Sequence, residues 1–367
     1  MKVLHLMADG SSAGGAQHLL GLCQAQTNLG LKPIVATATA SPLSQDLEER
    51  KVPVLSLDIM GFRLNPESLL ELSSLVEREQ PNLVHAHGTR AAFYASFFAR
   101  RWQLHAPLIY TIHGLGLRQQ CHPLKRAALW LAEYMACKKC EEIISVAKDD
   151  IQLLRAQRFL RPDRGVYIPN ALTEDRFKNL SEKAEEKPPY WPKVKFTLGT
   201  VARLVPQKAL HIAIEAVAKM PDTALLIAGD GPLRTELEAF AQKLQAPVIF
   251  LGEVKDVENF LPHLDLFVLS SRWEGEPIAL LEAMAAGLAI AATDNSGARE
   301  LLEQSRSGHL VPVDDARALG DCIMHLAQQD EERKLLGENG KKWVAKRTYE
   351  QQARAVSEVY RNALKVS

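Results

Sequence analysis

Ser270-Ser271-Arg272-Trp273-Glu274-Gly275-Glu276-Pro277-Ile278-Ala279-Leu280-Leu281-Glu282-Ala283-Met284-Ala285-Ala286-Gly287 holds three structural signals in succession. The apolar run that ends at Ser270 reads as a buried strand, and Glu274-Gly275-Glu276-Pro277 as a turn. A helix follows from Pro277 or Ile278, because proline is tolerated in a first helical turn. A buried strand feeding a helix through a short loop is half of a β-α-β unit, and such units build parallel sheets.

The same alternation extends in both directions. In the C-terminal half, strands are expected at 196–201, 224–228, 248–251, 266–270, 289–293 and 309–311. Helices are expected there at 209–219, 233–244, 257–261, 278–286 and 316–328, and a helical tail over 331–366 is interrupted at Gly337 and Gly340. In the N-terminal half, strands at 3–7, 32–36, 54–57, 83–86, 108–112, 142–146 and 165–168 alternate with helices such as 16–29, 66–79, 90–102 and 124–139. Between the halves, Glu182, Lys183, Glu185, Glu186 and Lys187 run into Pro188-Pro189-Tyr190-Trp191-Pro192, a linker composition. The predicted class is α/β: one doubly wound domain over 1–180, a linker over 181–195 and a second doubly wound domain over 196–345. Such domains bind ligands in a cleft at the carboxyl ends of their strands.

Composition sets outer limits. The 367 residues are 47% hydrophobic and 24% charged, which excludes a largely disordered chain. Lys+Arg and Asp+Glu are both 44, which argues against a dedicated nucleic-acid binder. The charge is nevertheless uneven: 1–180 carries 21 basic against 17 acidic residues, and 181–367 carries 23 against 27. A basic N-terminal domain can face an anionic partner. No apolar run is long enough to span a membrane, and 1–10 reads as a strand rather than a signal peptide. Five thinly spread cysteines fit a reducing cytosol better than a disulfide framework.

Several motifs carry chemistry, each with a plainer alternative. Gly14-Gly15-Ala16-Gln17 opens a helix after the first strand, where bare backbone can approach a phosphate, or it is simply a glycine turn. Arg203 and Lys208 follow a strand and suit a diphosphate, or are two solvated loop cations. Glu274 and Glu282 flank a helix start whose N–H groups suit phosphate or sugar oxygens, or are ordinary acids near a helix N-terminus. His113 follows a strand and precedes Gly114-Leu115-Gly116, which puts it at a carboxyl edge unless it is a core histidine. His85 and His87 end another strand and read more as structure than as chemistry. Cys137-Lys138-Lys139-Cys140, with Cys121 and His122, hints at zinc, but the pair sits late in a helix without clearly spaced partners. Lys125, Arg126, Lys138 and Lys139, with Leu129, Trp130, Leu131, Tyr134 and Met135, make either a helix for an anionic membrane surface or a solvated face over a core helix.

Taken in order, the chain resembles retaining family 4 glycosyltransferases of the GT-B fold, those of bacterial surface-polysaccharide and lipopolysaccharide assembly. The resemblance runs through Gly14-Gly15, Thr111-Ile112-His113-Gly114, Ile168-Pro169-Asn170, Arg203 with Lys208, Ala228-Gly229-Asp230-Gly231-Pro232, Leu251-Gly252-Glu253-Val254, Glu274 with Glu282, and Thr293-Asp294 with Glu300. It implies that Glu274 meets donor-sugar hydroxyls and Glu282 the ribose. Arg203 and Lys208 would neutralise the leaving diphosphate, with Gly14 and Gly15 offering backbone to it. His113 would lie by the donor sugar, and the loop around Val254 would receive the base. Amides near Ile278, Ala279 and Leu280 would complete the donor contacts. It also implies that 346–367 packs back on the first domain, and that no metal and no enzyme nucleophile is required. Gln17, His87 and Arg118 are candidates for the acceptor, in loops around 11–13, 87–90 and 115–123.

The function expected is transfer of a hexose or N-acetylhexosamine from a nucleotide sugar, a UDP-sugar by preference, to a glycan or glycolipid. No cofactor and no nucleic acid are called for. The setting is the cytoplasm, with peripheral contact to an anionic inner membrane as one option. The alternatives are a nucleotide-sugar epimerase or hydrolase on the same fold, and a non-catalytic nucleotide-sugar binder. Glu276 stands where the family often has a bulky apolar residue. It is either a third acid beside the sugar or a solvent-facing side chain.

Overall fold

The computed structural model describes residues 1–11, 14–59, 65–102, 106–119, 121–182, 186–254 and 256–366, without the side chains of 100–102 and 366. Ser12 and Ala13 of the expected acceptor loop, Gln120, and 183–185 of the expected linker lie outside the described residues.

The order is β1 (Lys2–Met7), α1 (Gly14–Asn28), β2 (Lys32–Thr37), α2 (Pro42–Glu49), β3 (Val54–Ser56), α3 (Pro66–Glu79), β4 (Leu83–His87), α4 (Gly88–Trp102), β5 (Leu108–Ile112), α5 (Pro123–Lys139), β6 (Glu142–Ser145), α6 (Lys148–Ala156), β7 (Val166–Tyr167), α7 (Glu174–Ser181), β8 (Phe196–Val201), α8 (Leu210–Val217), β9 (Thr223–Ala228), α9 (Arg234–Leu244), β10 (Val248–Gly252), β11 (Leu266–Leu269), α10 (Ile278–Ala285), β12 (Ile290–Thr293), α11 (Ser296–Ser305), β13 (Gly308–Val311), α12 (Ala316–Gln328), α13 (Asp330–Val344) and α14 (Tyr349–Val366). Both sheets are parallel. The first runs β3-β2-β1-β4-β5-β6-β7 and the second β10-β9-β8-β11-β12-β13. β1 and β4 are buried along most of their length, because helices cover both faces of a parallel sheet.

The chain forms two compact units, Met1–Asn170 with Tyr349–Ser367, and Ala171–Thr348. The divisions thus fall at 170 and 348 rather than at 180 and 345. The reason is apolar packing: Leu172, Phe177, Leu180 and Trp191, on the N-terminal side of the expected boundary or in the expected linker, join the core around Phe260 and Leu281. The charged and proline-rich stretch is therefore part of the second unit. α14 belongs to the first, where buried Tyr349 donates from its hydroxyl to the Gln17 carbonyl at 3.1 Å.

Two further expectations fail. α13 runs unbroken through Gly337 and Gly340, and the break comes after Val344. A Cβ on Gly337 would lie 2.0 Å from the Gly287 carbonyl oxygen, so that glycine serves close packing rather than a turn. A glycine inside a helix costs about 1 kcal/mol against alanine, which this packing offsets. The stretch 257–261 forms two 3₁₀ turns, Val257–Asn259 and Leu261–His263, instead of one helix. Pro262 has no N–H to continue an α-helical ladder.

Candidate functional site

In the second unit the chain leaves β8 toward β9 and returns through β11 on its other side, so loops at the carboxyl ends of β8 and β11 diverge. Ligands of open α/β sheets sit at such switch points. The loop after β8 carries Arg203 and Lys208; the loop after β11 carries Glu274. The two loops are tied together. The Ser270 hydroxyl donates to the Lys208 carbonyl at 2.8 Å, the Arg272 amide to the Gln207 carbonyl at 2.9 Å, and Gln207 Nε2 to the Trp273 carbonyl at 2.8 Å. Lys208 Nζ forms an ion pair with the Glu274 carboxylate, which is only 7% exposed.

The next β-α junction braces this turn from behind. Thr293 Oγ1 and Asn295 Nδ2 both donate to the Ser271 carbonyl, at 2.6 and 3.1 Å. A Cβ on Gly297 would lie 1.9 Å from the Gly275 carbonyl oxygen, so only glycine lets α11 approach the turn so closely. α10 then starts at Ile278 after Pro277, which has no side chain able to cap it. Backbone N–H groups of a first helical turn have no intrahelical partner, and they favour anions. Ile278 and Leu280 are buried, Ala279 is half-buried, and Val254 packs at the edge of the same core.

Glu282, one turn along α10, is buried against α7. Arg176 Nε and Nη2 both reach its Oε1, at 2.9 and 2.7 Å, and Nη1 reaches Glu258 Oε1 at 3.1 Å. Burial raises the Glu282 carboxyl above its ordinary pKa, and the guanidinium opposes that rise. Glu276 is not a solvent-facing acid: its side chain is 3% exposed and pairs with Arg347 at 2.5 Å. Arg347 in turn stacks over Trp343, 3.9 Å from the ring centre. Glu276 therefore fastens the turn to the chain beyond α13.

In the first unit, Gly14 and Gly15 open α1 at the β1–β4 switch point. A Cβ on Gly15 would lie 3.6 Å from His113 Cδ2, so the glycine stretch and His113 adjoin. His113 is half-buried at the carboxyl end of β5 and is one of five clustered histidines. Its Nε2 lies 3.1 Å from His87 Nδ1, and His87 Nε2 lies 3.0 Å from His5 Nδ1. His5 Nε2 reaches Gln26 Oε1 at 2.9 Å. His85 bridges the Tyr360 and Thr111 hydroxyls, and Gln26 Nε2 donates to Tyr360. Burial pushes the pKa of His5 and His18 down to about 4 and holds His85, His87 and His113 well below the ordinary histidine value, so all five imidazoles are neutral at pH 7.

Two acceptor-side candidates have side chains already held by other residues. His87 is 2% exposed, with Nε2 beside His5 and Nδ1 beside His113, so its side chain is buried away from an acceptor arriving from solvent. Arg118 Nε is committed to buried Asp150 at 2.9 Å. Gln17 is half-buried on α1. Cys137 and Cys140 are buried in the core, where burial raises their thiol pKa values; Cys137 donates weakly to Glu133. They are packing residues.

Residues 181–343 match the family described as glycosyl transferases group 1, and residues 13–171 match the glycosyl transferase 4-like domain. The chain belongs to the group 1 glycosyltransferases. It is similar to the Escherichia coli UDP-Gal:alpha-D-GlcNAc-diphosphoundecaprenol alpha-1,3-galactosyltransferase, 27% identical over 287 residues that cover 75% of this chain and 73% of that one. It is also 28% identical to the putative glycosyltransferase EpsD of Bacillus subtilis over 309 residues, covering 78% and 79%. Its fold matches Anabaena Alr3699/HepE, a crystal structure with UDP and glucose, with a TM-score of 0.82 at 19% identity, over 99% of this chain and all of that one. Both units are the Rossmann-like halves of a GT-B glycosyltransferase.

Against that family frame, sequence reading missed Arg176, Gln207 and His18. Arg176 lies in an acidic helix start, Thr173-Glu174-Asp175, beside what reads as linker, and its partners are 82 and 106 residues away. Nothing local marks such a contact.

Proposed function

We propose that this glycosyltransferase moves a hexose or N-acetylhexosamine from a UDP-sugar to a glycan or glycolipid acceptor of cell-surface polysaccharide or lipopolysaccharide, with retention of anomeric configuration. The observation that carries the reading is the Lys208–Glu274 pair, held by interlocked loops at the β8–β11 switch point and followed at once by the uncapped start of α10. Breaking a sugar–phosphate bond develops positive charge on the sugar and negative charge on the diphosphate. Lys208, Arg203 and the α10 amides supply fixed positive ends for the leaving group, so the chemistry needs no metal ion. Glu274 accepts from sugar hydroxyls and Glu282 from the ribose; Gly14 and Gly15 present backbone to the diphosphate, and His113 contacts the sugar. The base sits by Val254. The UDP in the Anabaena structure and the UDP-galactose in the name of the Escherichia coli relative support the choice of base.

A lipid-linked acceptor fits α5. Leu124, Trp130, Leu131 and Tyr134 are exposed on it beside exposed Lys125, Arg126, Lys138 and Lys139, an apolar and basic combination suited to an anionic bilayer surface. No helix among the described residues is long and apolar enough to cross a membrane. Release of UDP from a panel of UDP-sugars, with GDP- and ADP-sugars as controls, tests the reading. Turnover of UDP-sugars that is lost in Glu274→Gln supports it; turnover of another nucleotide family alone overturns it.

A further inference from the structure

We propose that His18, His87 and His113 form a three-imidazole site for a divalent transition-metal ion, with Zn²⁺ the best match, inside the first unit. One nitrogen from each ring lies within 4.8 Å of the other two. Zinc holds imidazole at about 2.0–2.1 Å, which puts tetrahedral ligand nitrogens about 3.3 Å apart. The His87 Nδ1 to His113 Nε2 separation of 3.1 Å is already close to that spacing.

Proton positions favour the site. The Asn170 Oδ1 can only accept, and His18 Nδ1 lies 2.8 Å from it, so Nδ1 carries the proton and Nε2 the lone pair. That lone pair is buried and finds no hydrogen-bond partner among the described residues. A buried acceptor without a donor costs free energy, and a metal ion removes the cost. His87 is set in the same way at one remove. Gln26 Oε1 accepts from His5 Nε2, so His5 Nδ1 must accept from His87 Nε2, which leaves the lone pair on His87 Nδ1. Metal-bound histidines characteristically donate their second N–H to a carbonyl or another acceptor, and both do so here. Only His113 must change: its proton moves from Nε2 to Nδ1, and Nε2 turns from donor to ligand. Half-buried His113 leaves the fourth position to water, as in three-histidine zinc sites.

The binding claim stands apart from the transferase reading. Its consequence rests on that reading: an ion on His113 withdraws the ring from the donor sugar, so Zn²⁺ inhibits. Binding without inhibition would overturn only the role given to His113.

The test uses the full chain with His309→Ala and His325→Ala, which removes the group at His309, His325 and Glu332; in the third group among the described residues, His5, His85 and His87, the His85 nitrogens are taken by the Tyr360 and Thr111 hydroxyls and His5 Nε2 by Gln26. This protein, stripped of metal, is titrated with Zn²⁺ against a chromophoric chelator and separately loaded with Co²⁺. One ion per chain and the strong visible absorption of tetrahedral Co²⁺ are expected. His18→Ala should abolish both, and Asn170→Ala should weaken affinity about 10–100-fold. Stoichiometric binding that survives His18→Ala overturns the proposal. Should that variant fail to fold by circular dichroism, the Co²⁺ spectrum of the chain with His18 intact decides: weak absorption of a six-coordinate ion overturns it as well.

Discussion

Lys208 and Glu274, 66 residues apart, form a largely buried ion pair between the loops after β8 and β11. The cation is thereby fixed beside the start of α10 rather than left to wander on a long side chain. Removing one member of such a pair leaves an uncompensated charge. Lys208→Met should therefore lower the melting temperature as well as kcat, by about 10²-fold or more if Lys208 stabilises the leaving diphosphate. Adding Glu274→Gln to that variant should restore much of the stability and none of the activity. Recovery of both would mean that the pair is structural only.

Arg176 divides its guanidinium between Glu282 and Glu258. Arg176→Lys cannot reproduce a fork that reaches two carboxylates. It should raise the donor KM several-fold with a smaller change in kcat, because Glu282 is assigned to the ribose, remote from the breaking bond. A fall in kcat at unchanged KM would remove Glu282 from the ribose.

Glu276 is tied to Arg347, and this contact predicts stability effects without a change of donor. Glu276→Gln should cost about 3 kcal/mol by leaving Arg347 unmatched in the interior. Its ranking of donor sugars should match the unmodified enzyme. A changed ranking would place Glu276 beside the sugar.

Glu133 offers a pH signature. It is fully buried on α5, accepts from the Tyr110 hydroxyl at 2.9 Å, and burial raises its pKa to about 7. The native state binds its proton more tightly than the unfolded chain does. Its stabilising contribution is thus complete below pH ~4.5 and is lost as the pH rises through about 7. Glu133→Gln, which is neutral throughout, should gain stability relative to the unmodified protein between pH 6 and pH 8. Melting curves across that range check it; parallel curves would show that Glu133 is already ionised at low pH.

Both parallel sheets were legible because each strand is an apolar run closed by a turn, a signal carried by neighbouring residues. The placement of Glu274, Glu282 and Gly14-Gly15 was legible for the same reason: each belongs to a strand–turn–helix junction that is read locally. What escaped depends on packing between distant segments. Gly337 looked like a helix breaker because its partner, the Gly287 carbonyl, is 50 positions away. Trp191 looked like linker because proline flanks it, yet its ring packs near Phe260, with ring centres 6.1 Å apart. His87 gave no hint that His5, 82 residues earlier, takes one of its nitrogens.

The most direct measurement of the central claim is a thermal-shift comparison of UDP, GDP, ADP and their sugars on metal-stripped protein, with EDTA present. A ligand at 100 times its Kd stabilises by about 2.7 kcal/mol, a readable rise in melting temperature. UDP and UDP-sugars should raise it under EDTA, and Lys208→Met should lose most of that rise. No shift with any nucleotide, or a shift that appears only with added divalent metal, would contradict a metal-independent UDP-sugar site.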